Sequence, residues 1–146
     1  MRQTLNYLSK TNSKQQIVTE KTVLLVEDVD VDTLIVQKIL FHAAPHVRCI
    51  ACQSAGFALQ MLHNLETDYF PKIILLDLVL PVMGGKEFLD TYHSKFHLRY
   101  PESKVIILTS SMKPGDKQLK AKYPFVAEFW AKPFNIKHAK EISRLV

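Results

Sequence analysis

Glu27, Asp28, Asp77, Thr109 and Lys132 each stand where a short apolar run ends. Val23-Leu24-Leu25-Val26 leads into Glu27-Asp28, Ile73-Ile74-Leu75-Leu76 into Asp77, Val105-Ile106-Ile107-Leu108 into Thr109, and Phe129-Trp130-Ala131 into Lys132-Pro133; Pro81 follows Asp77 by four residues. Runs of this length and composition read as buried parallel strands. In an open parallel sheet the carboxyl ends of the strands share one edge, so three carboxylates, a hydroxyl and an ammonium from distant parts of the chain should meet there. That set suits phosphoryl transfer. A carboxylate is a weak nucleophile, yet it can accept a phosphoryl group presented in line when a metal and an ammonium neutralise the phosphoryl oxygens. Three clustered carboxylates repel one another unless a cation sits among them, and an all-oxygen ligand set with room for water suits Mg²⁺.

The elements that must position these groups follow from periodicity. Residues 1–20 are polar with scattered apolar residues and read as an N-terminal arm; the domain proper runs from 21 to 146. After the first strand, Val31, Leu34, Ile35 and Ile39 predict one face of a helix, with Asp32 as its cap or part of its first turn. Val47 to Cys52 alternates as an edge strand does. Ser54 caps a helix with Ala55, Ala58, Leu62 and Leu65 on one side. Pro81 and Gly84-Gly85 lead into a helix marked by Phe88, Leu89, Tyr92 and Phe96 that stops before Pro101. Lys113-Pro114-Gly115-Asp116 opens a short lysine-rich helix. Phe125 to Ala131 is the last strand, and Ile136, Ala139, Ile142 and Leu145 turn inward from the last helix. Five strands alternate with five helices, an α/β order with right-handed crossovers.

Composition narrows the function classes. The chain has 146 residues, 47% of them apolar, enough for one compact domain with a sizeable core. No apolar stretch has the length of a signal peptide or membrane span, so a cytoplasmic location without membrane contact is expected. The net charge of +5 lies entirely in the last quarter: residues 113 to 146 hold eight Lys/Arg against three Asp/Glu, and residues 1 to 112 hold eleven of each. No aromatic interleaving or helix-turn-helix pattern accompanies those lysines, so direct DNA binding is not expected. Cys49 and Cys52 are spaced like a redox pair but lie on a strand with side chains on opposite faces, which favours a structural role. His93 and His97 share a helix face, but no third zinc ligand is evident.

The segments VLLVED, IILLDLVLPVMGG, VIILTSS and FWAKPF resemble the receiver domain of two-component response regulators over about residues 21 to 146. The resemblance implies a flavodoxin-like, doubly wound five-stranded parallel sheet with strand order 2-1-3-4-5 and five helices, a fold for which receivers are a standard example. It implies that Asp77 takes a phosphoryl group from a sensor histidine kinase or a histidine phosphotransfer protein. Glu27, Asp28, Asp77 and the main-chain carbonyl of Val79 would hold Mg²⁺. Thr109 would be the switch hydroxyl, Lys132 the phosphate-contacting lysine and Phe129 the switch aromatic. Pro81 matches the loop proline, and Pro133 the cis proline after the lysine. Val79 and Ser111 hold the positions that tune loss of the phosphoryl group, and neither can orient water as an acid or amide would, so slow self-dephosphorylation is expected. Glu27 stands where many relatives have Asp, which keeps the charge and adds reach. The stretch from His63 to Lys72 looks longer than in compact relatives.

A chain of this kind is a phosphoacceptor and not an enzyme in the ordinary sense. Its expected output is a changed surface of the fourth helix, fifth strand and fifth helix, read by an unknown downstream protein. A phosphorelay intermediate passing the group to a histidine, and an adaptor that uses the basic face without phosphorylation, are the alternatives. An aspartyl phosphatase would need a second acid where Val79 stands. A nucleotide-binding module would need a glycine-rich loop where Glu27-Asp28-Val29-Asp30 stands.

Overall fold

The structure, a computed structural model, describes residues 21–146; the arm expected over residues 1–20 lies outside the described residues. The elements alternate as β1 (Lys21–Val26), α1 (Asp30–Ala43), β2 (Val47–Cys52), α2 (Ala55–Asn64), β3 (Ile73–Leu76), α3 (Gly85–Lys95), β4 (Lys104–Thr109), α4 (Leu119–Lys122), β5 (Val126–Ala131) and α5 (Ile136–Leu145). Short 3₁₀ turns at Thr67–Tyr69 and Asp116–Gln118 precede β3 and α4. All five strands are parallel in the order β2-β1-β3-β4-β5, the doubly wound flavodoxin-like arrangement expected from the sequence.

Side chains alternate across the sheet, and both faces are covered, which is why the central strands read as unbroken apolar runs. Leu24, Val26, Ile74, Leu76, Val105 and Ile107 pack with residues of α2, α3 and α4. Val23, Leu25, Ile73, Leu75, Ile106 and Leu108 pack with residues of α1 and α5. The first face is rich in aromatics: Phe88, Tyr92 and Phe96 line the inner side of α3, and Tyr92 meets Phe125 at 4.9 Å. The stretch from His63 to Lys72 is anchored by Phe70, which is buried and stacks on Tyr100 with 3.6 Å between ring centroids.

Two helix faces differ from the sequence reading. In α1 the buried residues are Val36 and Leu40, with Ile35 and Ile39 partly buried beside them, while Val31 and Leu34 are 65% and 51% exposed. At 100° per residue the stripe that points inward is Asp32, Ile35/Val36, Ile39/Leu40 and Ala43, which leaves positions 31 and 34 turned away. Likewise α5 buries Ala139 and Ile142, and Ile136 and Leu145 lie on its flanks, exposed. The N-terminal residue of α1 is capped by no side chain, so Asp32 is not a cap. Ser54 does cap α2, accepting from the Phe57 N–H at 3.1 Å.

Candidate functional site at the carboxyl edge of the sheet

Asp77 follows the last residue of β3 and is buried, as is Glu27 at the end of β1. Asp28, one residue on, is exposed. One carboxylate oxygen from each of the three lies within 4.8 Å of the others. Lys132, just past β5, places its ammonium against this group: Nζ donates to Glu27 Oε2 at 2.7 Å and to Asp77 Oδ2 at 2.9 Å. Residues separated by up to 105 positions thus meet at one point because the three parallel strands β1, β3 and β5 end on the same edge.

The other carboxylate oxygens are also engaged. Glu27 Oε1 accepts the Val29 N–H at 3.1 Å, and Asp77 Oδ1 accepts the Val79 N–H at 3.0 Å, so the two turns after the strands orient both acids. Burial raises the Glu27 carboxyl above its ordinary range, a shift partly offset by the hydrogen bond from Lys132. Burial alone would lower the Lys132 ammonium; its hydrogen bonds to Glu27, Asp77 and Asp32 outweigh that and raise it. The site therefore holds a protonated lysine among carboxylates. The three acids form an all-oxygen, hard donor set of the kind that divalent cations of the Mg²⁺ class accept.

Thr109 ends β4 and is buried, but its hydroxyl is turned toward its own loop: Oγ1 donates to the Ser111 carbonyl and accepts the Ser111 N–H, both at 3.4 Å. The main chain at Thr109 is tied to the lysine, since the Lys132 N–H donates to the Thr109 carbonyl at 2.9 Å. Phe129, on β5, is half-buried against the aromatic core, and Ser111 is exposed. Trp130 points to the opposite face and stacks on His138 at 4.5 Å. The Lys132–Pro133 peptide bond is cis.

The loop after Asp77 carries two backbone constraints. A Cβ on Gly85 would lie 2.6 Å from Leu78 Cα and 2.8 Å from the Asp77 carbonyl oxygen, so the close seating of α3 against the end of β3 requires glycine there. Val82, next to Pro81, has φ of 66° and is fully exposed, a strained conformation for a β-branched residue. Val29, Val79, Val82 and Met112, in the loops that follow β1, β3 and β4, are exposed.

One site residue escaped the sequence reading. Asp32 Oδ2 accepts from Lys132 Nζ at 2.9 Å. An acid at the start of the inward stripe of α1, four residues before buried Val36, was the available signal. The remaining chemical candidates stay structural. Cys49 and Cys52 lie in opposite cores, and burial pushes the Cys49 thiol up to about 12. His93 and His97 stack 5.7 Å apart beside Phe125, and the one group of three metal-capable side chains among the described residues is Glu27, Asp28 and Asp77.

No protein-family model matches the chain, and no curated protein does. Solved structures do. A two-component response regulator from Legionella pneumophila is 28% identical, with a TM-score of 0.71, over 83% of this chain and 93% of its own. A two-component response regulator from Cytophaga hutchinsonii shares the fold with a TM-score of 0.74 at 23% identity, over 84% of this chain and 93% of its own. The Mn²⁺-bound form of response regulator Rcp1 is 27% identical, with a TM-score of 0.65, over 86% of this chain and 91% of its own. In its fold and in the residues at its strand ends, the chain is similar to the receiver domains of response regulators.

Proposed function

We propose that residues 21–146 act as one signalling receiver, in the cytoplasm, that accepts a phosphoryl group on Asp77. A phosphohistidine of a sensor kinase or histidine phosphotransfer protein is the donor. An Asp77 carboxylate oxygen attacks phosphorus in line, the bond from phosphorus to the imidazole nitrogen breaks, and the imidazole leaves to take up a proton. The observation that carries this reading is the convergence of three carboxylates within 4.8 Å with an ammonium 2.9 Å from Asp77.

Glu27, Asp28, Asp77 and the Val79 carbonyl are the groups to hold Mg²⁺, which would supply charge neutralisation for the phosphoryl oxygens. Lys132 is placed to neutralise a further oxygen. Thr109 has only 3.4 Å contacts to give up and can turn its hydroxyl toward the new group. Phe129, half-buried on the adjacent strand, can then settle inward, which changes the surface formed by α4, β5 and α5. That surface carries the basic excess and is the one to meet a downstream protein. No helix among the described residues is long and apolar enough to cross a membrane.

Val79 and Ser111 offer no acid or amide near the site to orient water, so the acyl phosphate should be long-lived; a lifetime of seconds in the isolated protein would refute this. The function itself is tested by incubation with Mg²⁺ and a small amido phosphate. An adduct of about 80 Da, the mass of a phosphoryl group, is expected in the wild type and absent in Asp77→Ala. An unmodified wild type would leave the phosphorylation-independent adaptor as the reading.

A further inference from the structure

Lys132 has three ammonium protons, and three carboxylates use them: Glu27 at 2.7 Å, Asp77 at 2.9 Å and Asp32 at 2.9 Å. Two of the three acceptors, Glu27 and Asp77, belong to the candidate metal cluster, and Asp32 does not. A divalent cation draws on the oxygens of Glu27 and Asp77, and a phosphoryl group occupies an Asp77 oxygen outright. In either event Asp32 is the acceptor that keeps its hold on the ammonium. Its place suits that task. It sits in the first turn of α1, on the stripe that faces the sheet, with its side chain 34% exposed and in contact with water as well as with Lys132.

We propose that Asp32 is a positioning residue: it fixes the direction of the Lys132 ammonium once the metal cluster has been filled, so that one N–H stays aimed at the phosphoryl oxygens. The inference rests on the function proposed above, but its primary measurement does not require phosphoryl transfer. Asp30 provides the control. It lies in the same helical turn with the same charge, yet bonds Gln53 Nε2 at 3.0 Å and not Lys132.

The test is the nitrogen-15 resonance of the Lys132 ammonium, recorded with and without saturating Mg²⁺ in the wild type, Asp32→Asn and Asp30→Asn. In the wild type the resonance should stay sharp and protected from solvent exchange when Mg²⁺ is added. In Asp32→Asn it should be lost on Mg²⁺ addition, with thermal unfolding confirming that the variant is folded. Asp30→Asn should behave as wild type. An Asp32→Asn signal that survives Mg²⁺ unchanged overturns the proposal, and so does equal loss in Asp30→Asn, which would assign the effect to helix-end charge. As a second readout, adduct formation with a small amido phosphate should slow about tenfold in Asp32→Asn, the scale usual for partners of primary site residues, with Mg²⁺ affinity unchanged. An unaltered rate overturns the proposal. If the wild type forms no adduct, the proposed function fails, and the resonance alone decides the role of Asp32.

Discussion

Around Lys132 the contacts run from 2.7 to 2.9 Å and join the ammonium to two buried acids and one half-buried acid, whereas the Thr109 hydroxyl reaches Ser111 only at 3.4 Å in either direction. The loops behind them differ in the same sense. The turns after β1 and β3 each return a backbone N–H to the acid at the strand end. The loop after β4 is exposed from Ser110 to Gly115, and its anchor lies further on, where buried Asp116 accepts the Lys113 N–H at 2.8 Å and pairs with Lys86 of α3 at 3.3 Å. One half of the site is preorganised for charge, and the other half is held by little that must be broken before it can move. A charge-bearing site needs the first property because reorienting dipoles at the moment of reaction costs rate. A switch needs the second, because a small new interaction must be enough to shift its population.

The largest way to break the contrast is Lys132→Met. It leaves Glu27 and Asp77 buried without their cation, and stability in metal-free urea titrations should fall by about 3 kcal/mol, the usual scale for an orphaned buried charge. Mg²⁺ should restore much of it. A loss below about 1 kcal/mol would show that the ammonium is not what holds the acids together.

Gly85→Ala strikes the same half through the backbone. The new Cβ would overlap Leu78 Cα and the Asp77 carbonyl, so a loss of about 2 kcal/mol by overpacking is expected, together with weaker Mg²⁺ binding by calorimetry. Thr109→Val probes the slack half. With two long contacts to lose, it should cost less than about 1 kcal/mol, yet abolish the movement of the 110–115 loop seen by amide shifts on phosphorylation. A stability cost as large as that of Lys132→Met would erase the distinction.

The smallest expected effect is one of pH, away from the site. His138 Nδ1 accepts the Asn135 N–H at 3.2 Å in the capping box of α5, and burial lowers its pKa. A histidine whose pKa is depressed on folding adds stability above its unfolded pKa of about 6.5, and that contribution is lost as pH falls through the folded value. Glu27 has the opposite sign: its raised pKa makes folding more favourable as it is protonated. The difference between wild type and His138→Gln isolates the histidine, and it should shrink by less than about 1 kcal/mol between pH 7 and pH 5. A difference that does not change with pH would assign His138 a packing role only.

The ends of β1, β3, β4 and β5 were legible because each carries a local signature, an apolar run closed by a polar residue. The aromatic face of α3, the cap at Ser54 and the edge character of β2 were legible for similar reasons, since each depends on neighbours within a turn or two. The inward faces of α1 and α5 were only half legible. Val31, Leu34, Ile136 and Leu145 are as apolar as the residues that are buried, and only the angle at which each helix meets the sheet decides which stripe turns inward. Asp32 does stand in the first turn of α1, one of its two expected places, and only its partner was hidden, for the same reason. A first-turn acid suits capping by local rules, and its real partner lies 100 residues away.

By itself, then, the sequence determined which groups stand at the strand ends and that parallel strands would carry them to a common edge. What the tertiary structure alone decided is how those groups are shared: three carboxylates dividing one ammonium, a hydroxyl turned to its own loop, and an aspartate from α1 joining from outside the metal cluster. Periodicity is a property of a few consecutive residues, whereas the division of hydrogen bonds at a point depends on distances among five segments that meet only when the sheet is complete.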